Sequence, residues 1–438
     1  MVVLVAAGCT SSGAPAPSGP AAAAADTPAR AQLRWLFAAV AHLPMSDAEM
    51  LAHFDGSYLA TVGPAELNRG LQGLAGARLV SIKVGEPSTA VATVAAGGAV
   101  RRGRVALTVD SRGLIADVGN VPAAGPVPTT WAGVDTALRS VAPQVHLLVA
   151  NVSNGSCQPV HSIDPGAAAR IGSAFKLYVL QALGAAVAAG TAGWDQPLTI
   201  TTQLKSLRSG VLQYEPTGTQ ISVRDTAGKM ISLSDNTATD MLINLVGRSA
   251  VEAALTATGM ANPALDRPFL TTHELFVLAL ERWPVLAKRY LTANEAGRRT
   301  LLASTVDPAP LPTVGAARAL LTRDLGSLDY FASASDICRA YTSLAALTRR
   351  PGLSPIGQVL SFNDSGLDLD PAQWKTTWYK GGYEPQAWTL AYLATTRTGQ
   401  SYVVTVLTEN RSQPIDAATA PPVLLAAIKG AFILAARR

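Results

Sequence analysis

Three short groups of residues carry the chemistry that this chain could do. Ser173 and Lys176 stand three apart in Ile171-Gly172-Ser173-Ala174-Phe175-Lys176. On a helix, residues at that spacing share a face, so a hydroxyl and an amine meet within one turn. Lys176 is followed at helical spacing by Leu180, Leu183 and Val187, which sets it on a buried stripe. Burial depresses a lysine pKa, and a neutral amine beside a serine is a base that can activate it. Ser234-Asp235-Asn236 falls in a break between two amphipathic segments, one marked by Val223, Ala227 and Met230, the other by Met241, Leu242 and Leu245. Taken alone, that triplet is equally a helix N-cap. Lys380-Gly381-Gly382 lies just ahead of an apolar run that starts at Ala387. Paired glycines beside a strand let a ligand approach the backbone and the lysine adds a point charge, although a turn with a stray lysine reads the same way.

The elements that must position these groups are legible from periodicity and turn residues. The chain has 438 residues, 48% hydrophobic and 15% charged, enough for two to three domains with real cores. Mean hydropathy is positive, at +0.23, yet no run of about 18 uncharged apolar residues occurs, and much of the apolar content is alanine. The net charge of +5 is not gathered into a basic stripe, so nucleic acid is excluded as a partner. Residues 10–28 are a flexible Ser/Gly/Pro/Ala linker. Residues 29–118 read as a small α+β domain. Its helices open at Asp26-Thr27-Pro28 and at a Ser46-to-Glu49 capping box. Period-two runs follow at Leu79–Val84, Ala90–Ala95, Val100–Val109 and Leu114–Val118. Residues 119–129, with Pro122, Gly125, Pro126 and Pro128, form a second linker. Residues 130–438 form a domain with strands at both ends, Val145–Val152 and Gln158–Ile163 early, Ala387–Thr395 and Ser401–Thr408 late. A long helical stretch fills its middle, and an apolar helix interrupted by Lys429 closes it. The late strands and the early pair belong in one sheet, which makes the fold α/β.

Cys9, Cys157 and Cys338 are too few for a disulfide framework and lack zinc-site spacing, so no metal is expected. Cys9 follows the short apolar run Val3-Leu4-Val5-Ala6-Ala7-Gly8, which resembles a bacterial lipoprotein signal over residues 1–9 without a basic n-region. A lipidated Cys9 would anchor an exported protein to the cell membrane.

Ser-x-x-Lys, Ser-Asp-Asn and Lys-Gly-Gly in this order resemble the signature of the serine β-lactamase and penicillin-binding-protein superfamily. Trp194-Asp195-Gln196-Pro197-Leu198 and Ser209-Gly210-Val211-Leu212 between the first two motifs are similar to class A β-lactamases. The resemblance implies a class A-like domain with an antiparallel sheet and a helical subdomain. It makes Ser173 the acylated nucleophile, Lys176 its base and Ser234 the proton relay to the leaving group. Lys380 would steady the relay, and Asn236 would touch a substrate amide. The N–H groups of Ser173 and Tyr383, beside Gly381 and Gly382, would form the oxyanion hole. Arg411 would be a carboxylate contact or a plain surface arginine. Lys375-Thr376-Thr377 competes as the third motif but lacks the glycine pair. No cofactor is implied.

One departure matters. Class A enzymes place a water-activating glutamate in Glu-x-x-Leu-Asn, whereas Phe269 of Leu265-Asp266-Arg267-Pro268-Phe269-Leu270 falls at that position here. Glu274 is a nearby candidate base or a helix N-terminal carboxylate. The stretch between Ser234 and Lys380 is also longer than in class A enzymes and carries Arg282-Trp283-Pro284 and Arg298-Arg299. With the extra N-terminal domain, the arrangement is similar to a two-domain actinobacterial group that includes the clavulanate-cluster β-lactamase-like esterase and LpqF-type lipoproteins. In that group the first domain has a steroid-isomerase or cyclase-like fold. The expected activity is a serine hydrolase acting on a small β-lactam-like or acyl-ester substrate, with esterase favoured over efficient β-lactamase. The alternatives are a β-lactamase, a D-Ala-D-Ala peptidase, or a surface lipoprotein that only binds cell-wall fragments or β-lactams. No Gly-x-Ser-x-Gly occurs, and Val277 stands where a zinc protease needs its second histidine after His273-Glu274.

Overall fold

The computed structural model describes residues 26–437 except 87, 96–101, 122–123, 208 and 313–324. Cys9, the lipoprotein signal, nearly all of the 10–28 linker and residues 122–123 of the second linker lie outside the described residues. The first helix, Pro28–Ala39, starts with proline in its first turn and Thr27 accepting from Arg30 N. The Ser46/Glu49 capping box opens the helix Asp47–His53 with both of its reciprocal hydrogen bonds in place. Strands β1 (Arg78–Glu86), β2 (Thr89–Ala95), β3 (Arg102–Val109) and β4 (Ile115–Val121) pair in that order as one antiparallel sheet. Helices and sheet enclose a core of their own, with Leu33, Leu36, Phe54, Leu107 and Ile115 at its centre.

The larger unit starts at the Thr130-capped helix Trp131–Arg139. Next come β5 (Gln144–Asn151) and β6 (Gln158–Ile163), joined through a turn in which Gly155 takes a φ of 82°, then the two-residue β7 (Ala169–Arg170). Short β8 (Pro197–Thr199) and β9 (Gln220–Ser222) pair inside the helical stretch, and β10 (Phe331–Ala332) pairs with β7. The chain closes with β11 (Trp374–Glu384), β12 (Ala387–Thr396), β13 (Ser401–Glu409) and the helix Ala420–Ala435. The main sheet runs β11-β12-β13-β5-β6, antiparallel throughout.

Alternation along the strands explains why this sheet is covered on both faces. On β5, Leu147 and Val149 enter a core shared with Val134, Leu424 and Ile428 of the first and last helices, while Leu148 and Ala150 enter the core of the helical subdomain. The helix Lys176–Ala188 is buried all round in its first two turns, which is why its sequence is apolar on every side. Among the described residues no helix is long and apolar enough to cross a membrane, and Lys429 on the last helix donates to Asp368 O.

Three differences from the sequence reading have physical causes. The Lys380-Gly381-Gly382 segment lies inside the 11-residue β11 and not in a turn beside a strand, because tertiary packing there overrides the poor strand propensity of glycine. Ser173 sits in a 3-10 turn, Gly172–Phe175, that runs into the α-helix at Lys176. With three residues per turn, positions 173 and 176 align more closely than on an α-helix. Cys157 and Cys338, which lie 181 residues apart, form a disulfide between the start of β6 and the helix Ala334–Thr348. Three cysteines do not make a framework, but two of them make this bridge.

Candidate active site

The 3-10 turn carries Ser173, the helix after it carries Lys176, the bend between the helices Val223–Ser232 and Asn236–Val246 carries Ser234, and β11 carries Lys380. Their heads meet. Lys176 Nζ lies 3.1 Å from Ser173 Oγ, 3.2 Å from Ser234 Oγ, 2.5 Å from Ser234 O and 2.7 Å from Asn236 Oδ1. Lys380 Nζ lies 3.0 Å from Ser234 Oγ and donates to Gly381 O at 2.6 Å. Ser234 therefore stands between the two lysines.

Lys176 is fully buried, and burial pulls its pKa down from the usual 10.5 to about 7 against the opposing pull of Asp235 and Asp240. Burial, followed by repulsion from Lys176, also holds Lys380 well below its ordinary value. A neutral amine has two protons and one lone pair. In its neutral form Lys176 can donate to the two closest acceptors, Ser234 O and Asn236 Oδ1, and accept from the Ser173 hydroxyl, while as an ammonium it donates to Ser173 Oγ.

The backbone is shaped for this contact. Ser234 has a φ of 57°, a left-handed conformation unfavourable for a serine, and it turns the Ser234 carbonyl toward Lys176. Ser209 Oγ donates to that same carbonyl at 2.8 Å. Asp235 caps the following helix through Ala238 N and accepts the N–H groups of Val211 and Leu212 at 2.6 and 2.8 Å. The N-cap reading of the triplet thus holds for Asp235, beside a site in which Ser234 and Asn236 meet Lys176. Gly210 passes so close that a Cβ would lie 2.2 Å from Asp235 Cγ, and its φ is +94°.

A Cβ on Gly382 would lie 1.9 Å from Ile171 O and 2.9 Å from Ser173 N, and one on Gly172 would lie 3.1 Å from Tyr383 N. The two glycines thus bring the Ser173 and Tyr383 amides to adjoining strands of backbone, the arrangement an oxyanion hole requires. Tyr383 exposes about half of its surface to the cavity and packs edge-on against Trp388.

Asn236 stays on the cavity wall, with Nδ2 donating to Leu207 O at 3.1 Å and Oδ1 2.7 Å from Lys176 Nζ. Other expected residues fall elsewhere. Arg411 lies outside the cavity lining, pairs with Glu409 at 3.3 Å and is the surface arginine. Phe269 is fully buried in an aromatic cluster with Phe175 and Tyr330. Glu274 is buried, bound by both Arg248 guanidinium nitrogens and by Thr271 N, and does not line the cavity. It is a capping and ion-pair residue.

The cavity over Ser173 encloses about 1710 Å³, with Tyr214, Leu275, Phe276 and Leu311 on its apolar walls. Glu384 is the one acid among its described lining residues. Burial, reinforced by Asp329, raises its carboxyl to about 8. It went unnoticed in the sequence because nothing marks a glutamate two residues past a glycine pair.

Residues 133–302 match the family model described as the β-lactamase enzyme family. Over this segment the chain is similar to the β-lactamase enzyme family. The matched span contains Ser173, Lys176 and Ser234 and ends before Lys380, which joins them through space. Similar solved structures include PBP-A, at 16% identity over 73% of this chain and 100% of that one, with a TM-score of 0.48. The β-lactamase of Sphaerobacter thermophilus DSM 20745 is 18% identical over 70% and 97%, with a TM-score of 0.48. A β-lactamase of Chitinophaga pinensis DSM 2588 is 18% identical over 70% and 98%, with a TM-score of 0.49. No curated protein matches the chain.

Gly210→Ala adds strain at a left-handed position and a clash with Asp235, together about 2–5 kcal/mol of destabilisation. Denaturant unfolding is expected to show this loss, and wild-type stability would contradict the packing described for Ser234-Asp235-Asn236.

Proposed function

We propose that the protein is a serine hydrolase that forms an acyl-enzyme on Ser173 and turns over esters better than β-lactams. The observation that carries the proposal is the buried Lys176 Nζ lying 3.1 Å from Ser173 Oγ, with Ser234 O and Asn236 Oδ1 at 2.5 and 2.7 Å as acceptors for its protons. In this mechanism the Ser173 proton passes to Lys176 as Oγ bonds the acyl carbon, and the Ser173 and Tyr383 amides hold the developing oxyanion. The proton then travels through Ser234 Oγ to the leaving oxygen as the ester bond breaks. Water next gives its proton to the regenerated amine and attacks the acyl carbon, and Ser173 leaves with that proton.

The preference for esters follows from what remains in the cavity after acylation. An ester loses its alcohol, which opens a path for water to Lys176. A β-lactam keeps its amine leaving group tethered to the acyl carbon, so a separate base has to bring water from another side. Phe269 supplies none, and Glu384, raised to about 8, is mostly protonated at neutral pH. The small-molecule substrate is therefore an acyl ester with an apolar acyl group that suits the cavity walls. A β-lactam acts as a slow acylating ligand.

The disulfide supports a second part of the proposal, that the protein is exported and tethered through Cys9, since such bridges persist in oxidising compartments.

With a p-nitrophenyl ester, kcat/KM is expected to climb about tenfold per pH unit below about 7, where Lys176 is an ammonium without a lone pair, and to level off above it. Ser173→Ala is expected to lose roughly a thousandfold or more. Fluorescent penicillin is expected to label Ser173 and persist. Rapid release of hydrolysed β-lactam would favour a β-lactamase, and a wild type inert toward both reagents would favour a protein that only binds. For export, a Cys157–Cys338 linked peptide is expected by mass in protein taken directly from cells, and free thiols at both positions would contradict it.

A further inference from the structure

Through its sheet and the turns of that sheet, the N-terminal unit makes polar contacts with the active-site frame at three separate places. At the turn after β3, Ser111 donates its backbone N–H to Glu215 Oε1 at 2.8 Å and its hydroxyl to Glu215 Oε2 at 2.6 Å. Glu215 is 4% exposed and directly follows Tyr214, which lines the cavity. From β3, Arg104 pairs with Asp364 at 3.3 Å, between the cavity-lining Asn363 and Ser365. Ahead of β2, Ser88 accepts from Lys229 Nζ at 2.7 Å, and the Lys229 carbonyl accepts the N–H groups of Leu233 and Asp235. Ala60, on the helix Gly56–Val62, stands on the cavity wall itself.

We propose that the N-terminal unit sets substrate selection by the active site, with Ser111 and Arg104 as positioning residues that hold two stretches of the cavity wall, one at Tyr214 and one at Asn363–Ser365. The inference rests on the hydrolase reading and adds to it where discrimination between acyl groups comes from. A buried carboxylate that loses hydrogen bonds from a neighbouring unit is costly to leave unsatisfied. While Ser111 is seated, Glu215 and the Tyr214 stretch stay put. Arg104 anchors the second stretch through Asp364, and Asn363 Nδ2 ties that stretch to Ser232 O at 3.0 Å, just ahead of Ser234. Neither Ser111 nor Arg104 belongs to the cavity lining, so they act on selection and not on the acyl transfer itself.

The test compares p-nitrophenyl acetate with p-nitrophenyl octanoate in wild type, Ser111→Ala, Arg104→Ala, the double variant and Ser111→Thr. The double variant is expected to keep kcat/KM for acetate within about twofold and to move the acetate-to-octanoate ratio about fivefold toward unity through the octanoate KM. Ser111→Thr, which keeps the hydroxyl, is expected to restore the ratio in that position. Amide hydrogen exchange of Ser111→Ala is expected to quicken within residues 209–216 and to stay unchanged in the helix Lys176–Ala188. An active wild type whose variants keep both the ratio and the exchange rates would overturn this inference and leave the hydrolase reading standing. Equal losses on both esters would mark the two residues as general stabilisers and would also overturn it. A wild type inert toward both esters would remove the hydrolase reading, and this inference with it.

Discussion

Burial of the Lys176 amine is the constraint from which the rest of the site follows. An isolated buried ammonium is costly enough that the group sheds its proton, and burial takes this lysine down to about 7. Once neutral, it needs two acceptors and one donor. Ser234 O, Asn236 Oδ1 and the Ser173 hydroxyl meet that need at 2.5, 2.7 and 3.1 Å. The left-handed conformation of Ser234 is the local cost of turning its carbonyl to the amine, of order 1–3 kcal/mol for such backbone strain. Hydrogen bonds from Lys176 and Ser209 to that carbonyl offset it.

The same constraint orders the second shell of contacts. For Ser234 to hold its shape, Asp235 has to be fixed, and it is fixed both by capping its own helix and by the Val211 and Leu212 amides. That loop has to pass over Asp235 without a side chain, hence Gly210. On the opposite side, β11 has to bring Lys380 to Ser234 and slide past Ser173, hence Gly382 at a point where a Cβ would strike Ile171 O. Where the sheet meets the helical subdomain at this point, the reactive side chains and the two glycines come together.

Much of this was legible because the chemistry requires uncommon residues at fixed spacings. Ser173, Lys176, Ser234 and Lys380 stood out in a chain with only eight lysines, and the helix caps at Thr27 and Ser46 marked their boundaries in the letters alone. What was not legible is what distant segments settle between themselves. The strand at Gly381 and Gly382 was hidden because glycine reads as a turn until its partner β12 is known. The Cys157–Cys338 bridge spans 181 residues, and no local pattern encodes it. That Asn236 also ties Lys176 to Leu207 O is invisible without the fold. Glu215 gives no signal at all until Ser111 of the other unit is seen to hold it.

The central claim is that burial brings Lys176 to titrate near neutral pH, so that a large uncharged fraction is present there. Carbon-13 NMR titration of protein labelled at its eight lysine side chains reads this directly, with the Lys176 signal assigned by its loss in Lys176→Met. The Lys176 Cε resonance is predicted to titrate near pH 7. Titration of that resonance in the ordinary lysine range, above about pH 10, would contradict the account.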